Sequence, residues 1–159
     1  MDIFFIYLGL NNLKVMPAIF TELLDQNIQT CHYTFNEINK DNSSKRLTKD
    51  TASVGFIYRH IGETMLMFGY FFGFDAGIQN TTIGFQDEGQ GKDLIESQEL
   101  IKRGYKTLRD IIEATSDDGW NELVDTPFFG TISKTKLFSH ILYHNSYHAG
   151  QIGLTIKRA

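Results

Sequence analysis

The sequence predicts an all-α four-helix bundle, and three observations carry that prediction. Four stretches repeat apolar residues at steps of three and four, the period of a helix that buries one face. The chain has only two prolines, Pro17 and Pro127, in 159 residues, so long helices are permitted. The segments between the periodic stretches are rich in Gly, Asn, Thr and Asp, which favour turns. With 42% hydrophobic and 21% charged residues, the chain reads as one globular domain over residues 1–159.

Residues 1–10 are apolar but reach Asn11 and Asn12 well short of the roughly 20 residues of a membrane span. They also lack a basic n-region and a small-x-small cleavage site, so a buried N-terminal segment is expected. Helix one is predicted over about residues 17–39, with Pro17 in its first turn and Ile19, Phe20, Leu23, Leu24, Ile28, Cys31, Phe35 and Ile38 on its apolar face. Asp50 or Thr51 is positioned to cap helix two, which carries Val54, Ile57, Tyr58, Ile61, Met65, Phe68 and Phe72 and ends near Gly73. Residues 74–91 show no period and read as a long surface connection, a type of segment that often carries function.

Helix three is predicted over about residues 92–114, with Leu94, Leu100, Ile101, Tyr105, Leu108, Ile111 and Ile112 inward and Gly104 as a weak point. Short extended runs around Pro127, within residues 116–131, suggest a small hairpin excursion. Ser133 is suited to cap helix four, on which Leu137, Ile141, His144, His148 and Ile152 follow one another at steps of three and four. These four helices would pack as a bundle.

Composition narrows the function. Fifteen Lys and Arg against nineteen Asp and Glu give a net charge of −4, which repels a phosphate backbone and argues against nucleic acid as a partner. No stretch has membrane length without a polar break. A single cysteine, Cys31, allows no internal disulfide and no cysteine-ligated metal cluster, which points to the reducing cytoplasm. Thirteen phenylalanines in a domain of this size favour an oligomeric interface, and a homodimer is expected.

The most unusual feature is the run His140, His144, His148 on helix four, three of the five histidines in the chain. Each step of four residues offsets a side chain by only ~40° and rises ~6 Å, so neighbours in the run can share an ion. His140 and His148, ~12 Å apart along the axis, cannot, so at most two of the three bind the same metal. Spacing alone does not separate the pair 140/144 from the pair 144/148. A third ligand must come from another helix, and His60 is the histidine inside helix two. The bland alternative is that these histidines pack or face solvent, and His32 is read as structural.

Other chemistries fail specific tests. Asn145, Ser146 and Tyr147 separate His144 from His148, so the general-base Glu of a zincin is absent. A ferritin-like di-iron site needs Glu-x-x-His twice, whereas His60-Ile-Gly-Glu63 is reversed and single. Gly84-Phe-Gln-Asp-Glu-Gly89 is followed by no Lys-Ser or Lys-Thr, and no Gly-x-Ser-x-Gly occurs, which removes the phosphate loop and the nucleophile elbow.

The segment His140-Ile-Leu-Tyr-His144-Asn-Ser-Tyr-His148-Ala-Gly-Gln151 resembles the last-helix signature of the DinB/YfiT-like family of metalloenzymes. Ser53-Val-Gly-Phe-Ile-Tyr-Arg-His60-Ile-Gly-Glu63 is similar to that family's second-helix motif. The two motifs occur in the family's order, and the resemblance covers helices one to four. It implies a metal triad of His60, His144 and His148, with His140 nearby but outside it. It also implies that Gly150 serves close helix packing and that Gln151 is a polar partner of the site. Where the family commonly has a basic residue or a second His beside its last ligand, this chain has Tyr147 and Ala149.

Three imidazoles with open positions make a bound divalent ion a Lewis acid that activates water or a thiol. The resemblance implies a thiol S-transferase or a hydrolase acting on a small-molecule substrate, with a low-molecular-weight thiol as cosubstrate. Zn or Ni is favoured and Fe fits as well. Glu63, Tyr147 and Gln151 are candidates to orient a ligand or accept a proton, against readings of Glu63 as an exposed helix residue and of Tyr143 and Tyr147 as core. The alternatives are a non-catalytic metal-binding or stress-related dimeric bundle, and a degenerate member whose histidines merely pack.

Overall fold

The computed structural model describes residues 15–75 and 77–159. The expected buried segment over residues 1–10 lies outside the described residues. Four long helices account for the fold: α1 (Val15–Phe35), α2 (Val54–Gly69), α3 (Leu94–Ala114) and α4 (Lys134–Arg158). Between α3 and α4 an antiparallel hairpin pairs β1 (Leu123–Thr126) with β2 (Gly130–Ser133), with Val124 opposite Ile132. The hairpin falls where turn residues flank short extended runs. No described helix is long and apolar enough to cross a membrane.

Helix ends differ from expectation for local chemical reasons. Helix one stops at Phe35 rather than near 39, because Asn39 and Asn42 bond the backbone of residues 37–42 and hold it in turns. Ser53, not Asp50 or Thr51, caps α2 by accepting from the Phe56 amide, while the Thr51 hydroxyl closes a turn on Thr48. The α2 track tightens into a 3-10 turn over Tyr70–Phe72 and ends at Gly73, whose φ of 86° suits glycine. Asp93 caps α3 and so starts it at Leu94. Ser133 caps α4 as expected.

The core gathers where the predicted apolar faces meet. Ile61 and Met65 of α2, Leu108 and Ile111 of α3, and Leu137, Ile141 and Ile152 of α4 are fully enclosed. Trp120, from the 3-10 turn Asp118–Asn121, closes the cluster against Phe20 at 4.0 Å and Phe138 at 5.3 Å between ring centroids. Glycines set the spacing of α2 and α3. A Cβ on Gly62 would lie 2.8 Å from Leu100 Cβ, and one on Gly104 2.8 Å from Met65 Cβ. Gly104 is therefore a packing requirement rather than a weak point of α3.

Gly150, by contrast, does not serve helix packing. It is exposed, and a Cβ there would meet nothing within 4 Å. The expected surface connection also corrects itself in part: its residues Thr81 and Thr82 turn inward onto α2, and Thr82 is buried.

Candidate metal centre

His60 lies on α2, which is enclosed on nearly every side, and faces α4. On α4 the enclosed residues Ile141, Asn145, Ala149 and Ile152 fix which face packs inward, and His144 and His148 fall beside that face. The three rings meet there. His60 is 4.9 Å from both His144 and His148 between ring centroids, and His144 is 4.3 Å from His148. One nitrogen from each ring lies within 4.8 Å of the others, and the Nε2 atoms of His60 and His144 are 3.0 Å apart.

His140 stays apart from this group. Its ring lies 6.2 Å from His144 but 4.4 Å from Phe129 of the hairpin turn, an edge-to-face contact. His32 bonds Asn36 on the surface of α1, as a structural histidine would. Thus two of the three histidines in the α4 run join His60, which is what one turn of axial separation permits.

Burial decides the charge of the rings. It pulls His60 down to about 4, reinforced by His148, and His144 down to about 3, reinforced by His148 and His60. Burial lowers His148 as well, partly opposed by its bond to Gln151. At neutral pH all three are uncharged and can offer a lone pair.

The partners of the outer nitrogens place the protons. Glu63 is fully buried, not the exposed helix residue expected, and its carboxylate accepts from the amides of Thr81 and Thr82 at 2.9 and 3.0 Å. It also accepts from the hydroxyls of Thr81 and Thr82 at 2.6 and 2.7 Å, and from Arg59 Nε at 2.7 Å. Burial alone would raise the Glu63 pKa, but these bonds outweigh it and hold the group below its usual range. The single Thr82 hydroxyl hydrogen goes to Glu63, so at the 3.2 Å contact with His60 Nδ1 the ring must donate. His60 then carries its proton on Nδ1 and a lone pair on Nε2.

A second chain of bonds does the same for His148. Tyr147 Oη accepts from Gln151 Nε2 at 3.1 Å, and Gln151 Oε1 accepts from His148 Nδ1 at 2.6 Å, leaving His148 Nε2 free of a proton. Gln151 is thus the polar partner expected of it. Tyr147 also packs edge-to-face on the His148 ring at 5.1 Å between centroids, and Tyr147 and Tyr143 are exposed rather than core. His144 Nδ1 is buried with no hydrogen-bond partner.

These observations test the fit of a metal. On His60 and His148 the outer nitrogen is hydrogen-bonded and the lone pair turns inward, the arrangement of ligating imidazoles. The Nε2 atoms of His60 and His144, 3.0 Å apart, approach this closely with a proton or a cation between them. The cluster is therefore compatible with a divalent-metal site.

Thr82 and Thr81 were not singled out by sequence reasoning. The signals available were the length of the 74–91 connection and the Arg59–Glu63 spacing of four, which pairs opposite charges on a helix. Neither says that the connection turns back onto Glu63. Arg59 also bridges to Glu96 of α3 at 2.7 Å, tying α3 into the same network.

A helical bundle with histidines converging from its second and last long helices defines a class of protein with a candidate metal centre. The sequence model of the DinB superfamily matches residues 23–152, and the chain belongs to that superfamily. A comparison with curated proteins gives no match.

Proposed function

We propose that this chain is a divalent-metal-dependent enzyme of the thiol S-transferase or hydrolase type, with His60, His144 and His148 as the ligands. The observation that supports it is the convergence of three neutral imidazoles from two helices, two of them with the outer nitrogen already hydrogen-bonded. When bound, a divalent ion supplies Lewis acidity that brings the pKa of water or a thiol towards neutrality. Zn or Ni is favoured for this donor set, and Fe is compatible with it.

The chain's own residues do the positioning. Glu63 holds Thr82, Thr82 holds the His60 ring, and Gln151 holds the His148 ring. Cys31 is buried on α1, and burial pushes its thiol up despite bonds to Tyr105 and Ser146, so it is a poor nucleophile. A reacting sulfur must arrive with a small-molecule cosubstrate. The lone unpaired cysteine supports a cytoplasmic location, and exposed Leu23 and Tyr143 support a homodimer.

The test is elemental mass spectrometry on protein purified without a His-tag or a nickel column, beside His60→Ala. The expected result is about one equivalent of one metal per chain, lost in the variant, as metal binding through deprotonated ligands requires. A screen of thiols against electrophiles, and of hydrolysable esters, follows. No metal after reconstitution overturns the reading. Metal without turnover across that screen supports the non-catalytic metal-binding bundle instead.

A further inference from the structure

Beside His60 and His148 lies a cavity of about 420 Å³, within the size range of small-molecule sites. Leu47, Phe56, Ile57 and Leu154 supply its apolar wall. Its polar atoms come from uncharged groups such as Thr51 and Gln151, and among the described residues no Asp, Glu, Lys or Arg lines it. Arg46, next to the rim residue Leu47, is engaged by Asp87 at 2.9 Å and by the Thr51 carbonyl at 2.6 Å. A separate cleft holds the charges of Arg59, Arg103, Glu96 and Glu99, and no described histidine lines it.

An ionised group seated against the wall of the first cavity would give up water and meet no counter-charge among the described side chains, whereas an aryl or alkyl group would gain apolar contact. We propose that this cavity receives an uncharged, predominantly apolar group of the electrophile or ester and holds it beside His60 and His148. The proposal rests on the metal-enzyme reading above and narrows its substrate class. Substrates whose bulk is anionic are discriminated against by the cavity wall.

Two ring probes of similar size separate the possibilities: benzyl alcohol, which is neutral, and benzenesulfonate, which is anionic. Each is titrated into the purified protein, as isolated and after chelator treatment, while the methyl resonances of Leu47, Ile57 and Leu154 are followed by carbon–proton NMR. After chelator treatment, benzyl alcohol is expected to move all three and to bind at least about tenfold more tightly than the sulfonate. Leu154→Lys, at the half-exposed rim, should narrow that ratio at least about threefold by supplying a cation.

In the chelator-treated protein, equal or tighter sulfonate binding, or methyl groups unmoved by benzyl alcohol, would overturn the inference. Elemental analysis of the same sample keeps the two readings apart. Metal-free protein that prefers benzyl alcohol refutes the metal enzyme and upholds the cavity. Metal-bearing protein that still prefers the sulfonate once its metal is chelated refutes the cavity and leaves the metal enzyme standing.

Discussion

Replacing Thr82 by Val removes one hydroxyl and keeps the shape of the side chain. In the native chain that oxygen donates to Glu63 at 2.7 Å and accepts from His60 Nδ1 at 3.2 Å. Glu63 keeps its bonds from Thr81, from the Thr82 amide and from Arg59, so it loses one charge-assisted bond of five. His60 loses the acceptor at its outer nitrogen.

A hydrogen bond to a charged group contributes about 1.5–3 kcal/mol, and a buried donor without a partner costs about 1–3 kcal/mol. These terms overlap, so urea unfolding of Thr82→Val should show a stability loss of about 2–4 kcal/mol. With the ring free to take either tautomer, metal affinity should fall about 10–100-fold in chelator competition. Long-range proton–nitrogen NMR on metal-free protein should show His60 protonated at Nδ1 in the native chain and mixed in the variant. Thr82→Ser retains the hydroxyl and should restore both affinity and tautomer. Native affinity in Thr82→Val with His60 still protonated at Nδ1 would refute the reasoning.

His144→Ala should abolish stoichiometric metal binding while His140→Ala preserves it, because His140 packs on Phe129 outside the cluster. Metal lost with His140→Ala in elemental analysis would mean that the wrong neighbouring pair has been chosen. The pH dependence of metal-free stability follows from burial of His60 and His144. Their folded values, about 4 and about 3, lie below the ordinary 6.5, so the unfolded state takes up protons first and calorimetric stability should fall from pH 6.5 towards 4. A melting temperature that is flat across that window would contradict the burial of neutral rings. Gly62→Ala should destabilise the chain by about 1–3 kcal/mol in urea, since its Cβ would lie 2.8 Å from Leu100 Cβ and drive α2 from α3. A neutral effect would show that the two helices are less closely packed.

The two motifs and the helical periods are local quantities, and they were legible in the sequence. Apolar residues three and four apart mark the four helices. Ser133 marks the start of α4, and a spacing of four puts His144 and His148 on one face whatever lies elsewhere. That at most two histidines of the α4 run could share an ion also follows from helix geometry alone. Which pair meets His60 depends on the height at which α2 crosses α4, and no spacing along α4 contains that information.

Tertiary structure also reversed the roles of several residues. Glu63 looks like a solvated helix residue until the 74–91 connection lays Thr81 and Thr82 over it and supplies enough donors to keep a buried carboxylate charged. Gly104 and Gly150 are the same residue type on helices, yet one faces Met65 and the other solvent. The sequence by itself determined the helices and the supply of imidazoles, because both follow from periods of a few residues. The path of an aperiodic loop determined which groups orient His60, because contacts between distant positions arise only once the chain has folded.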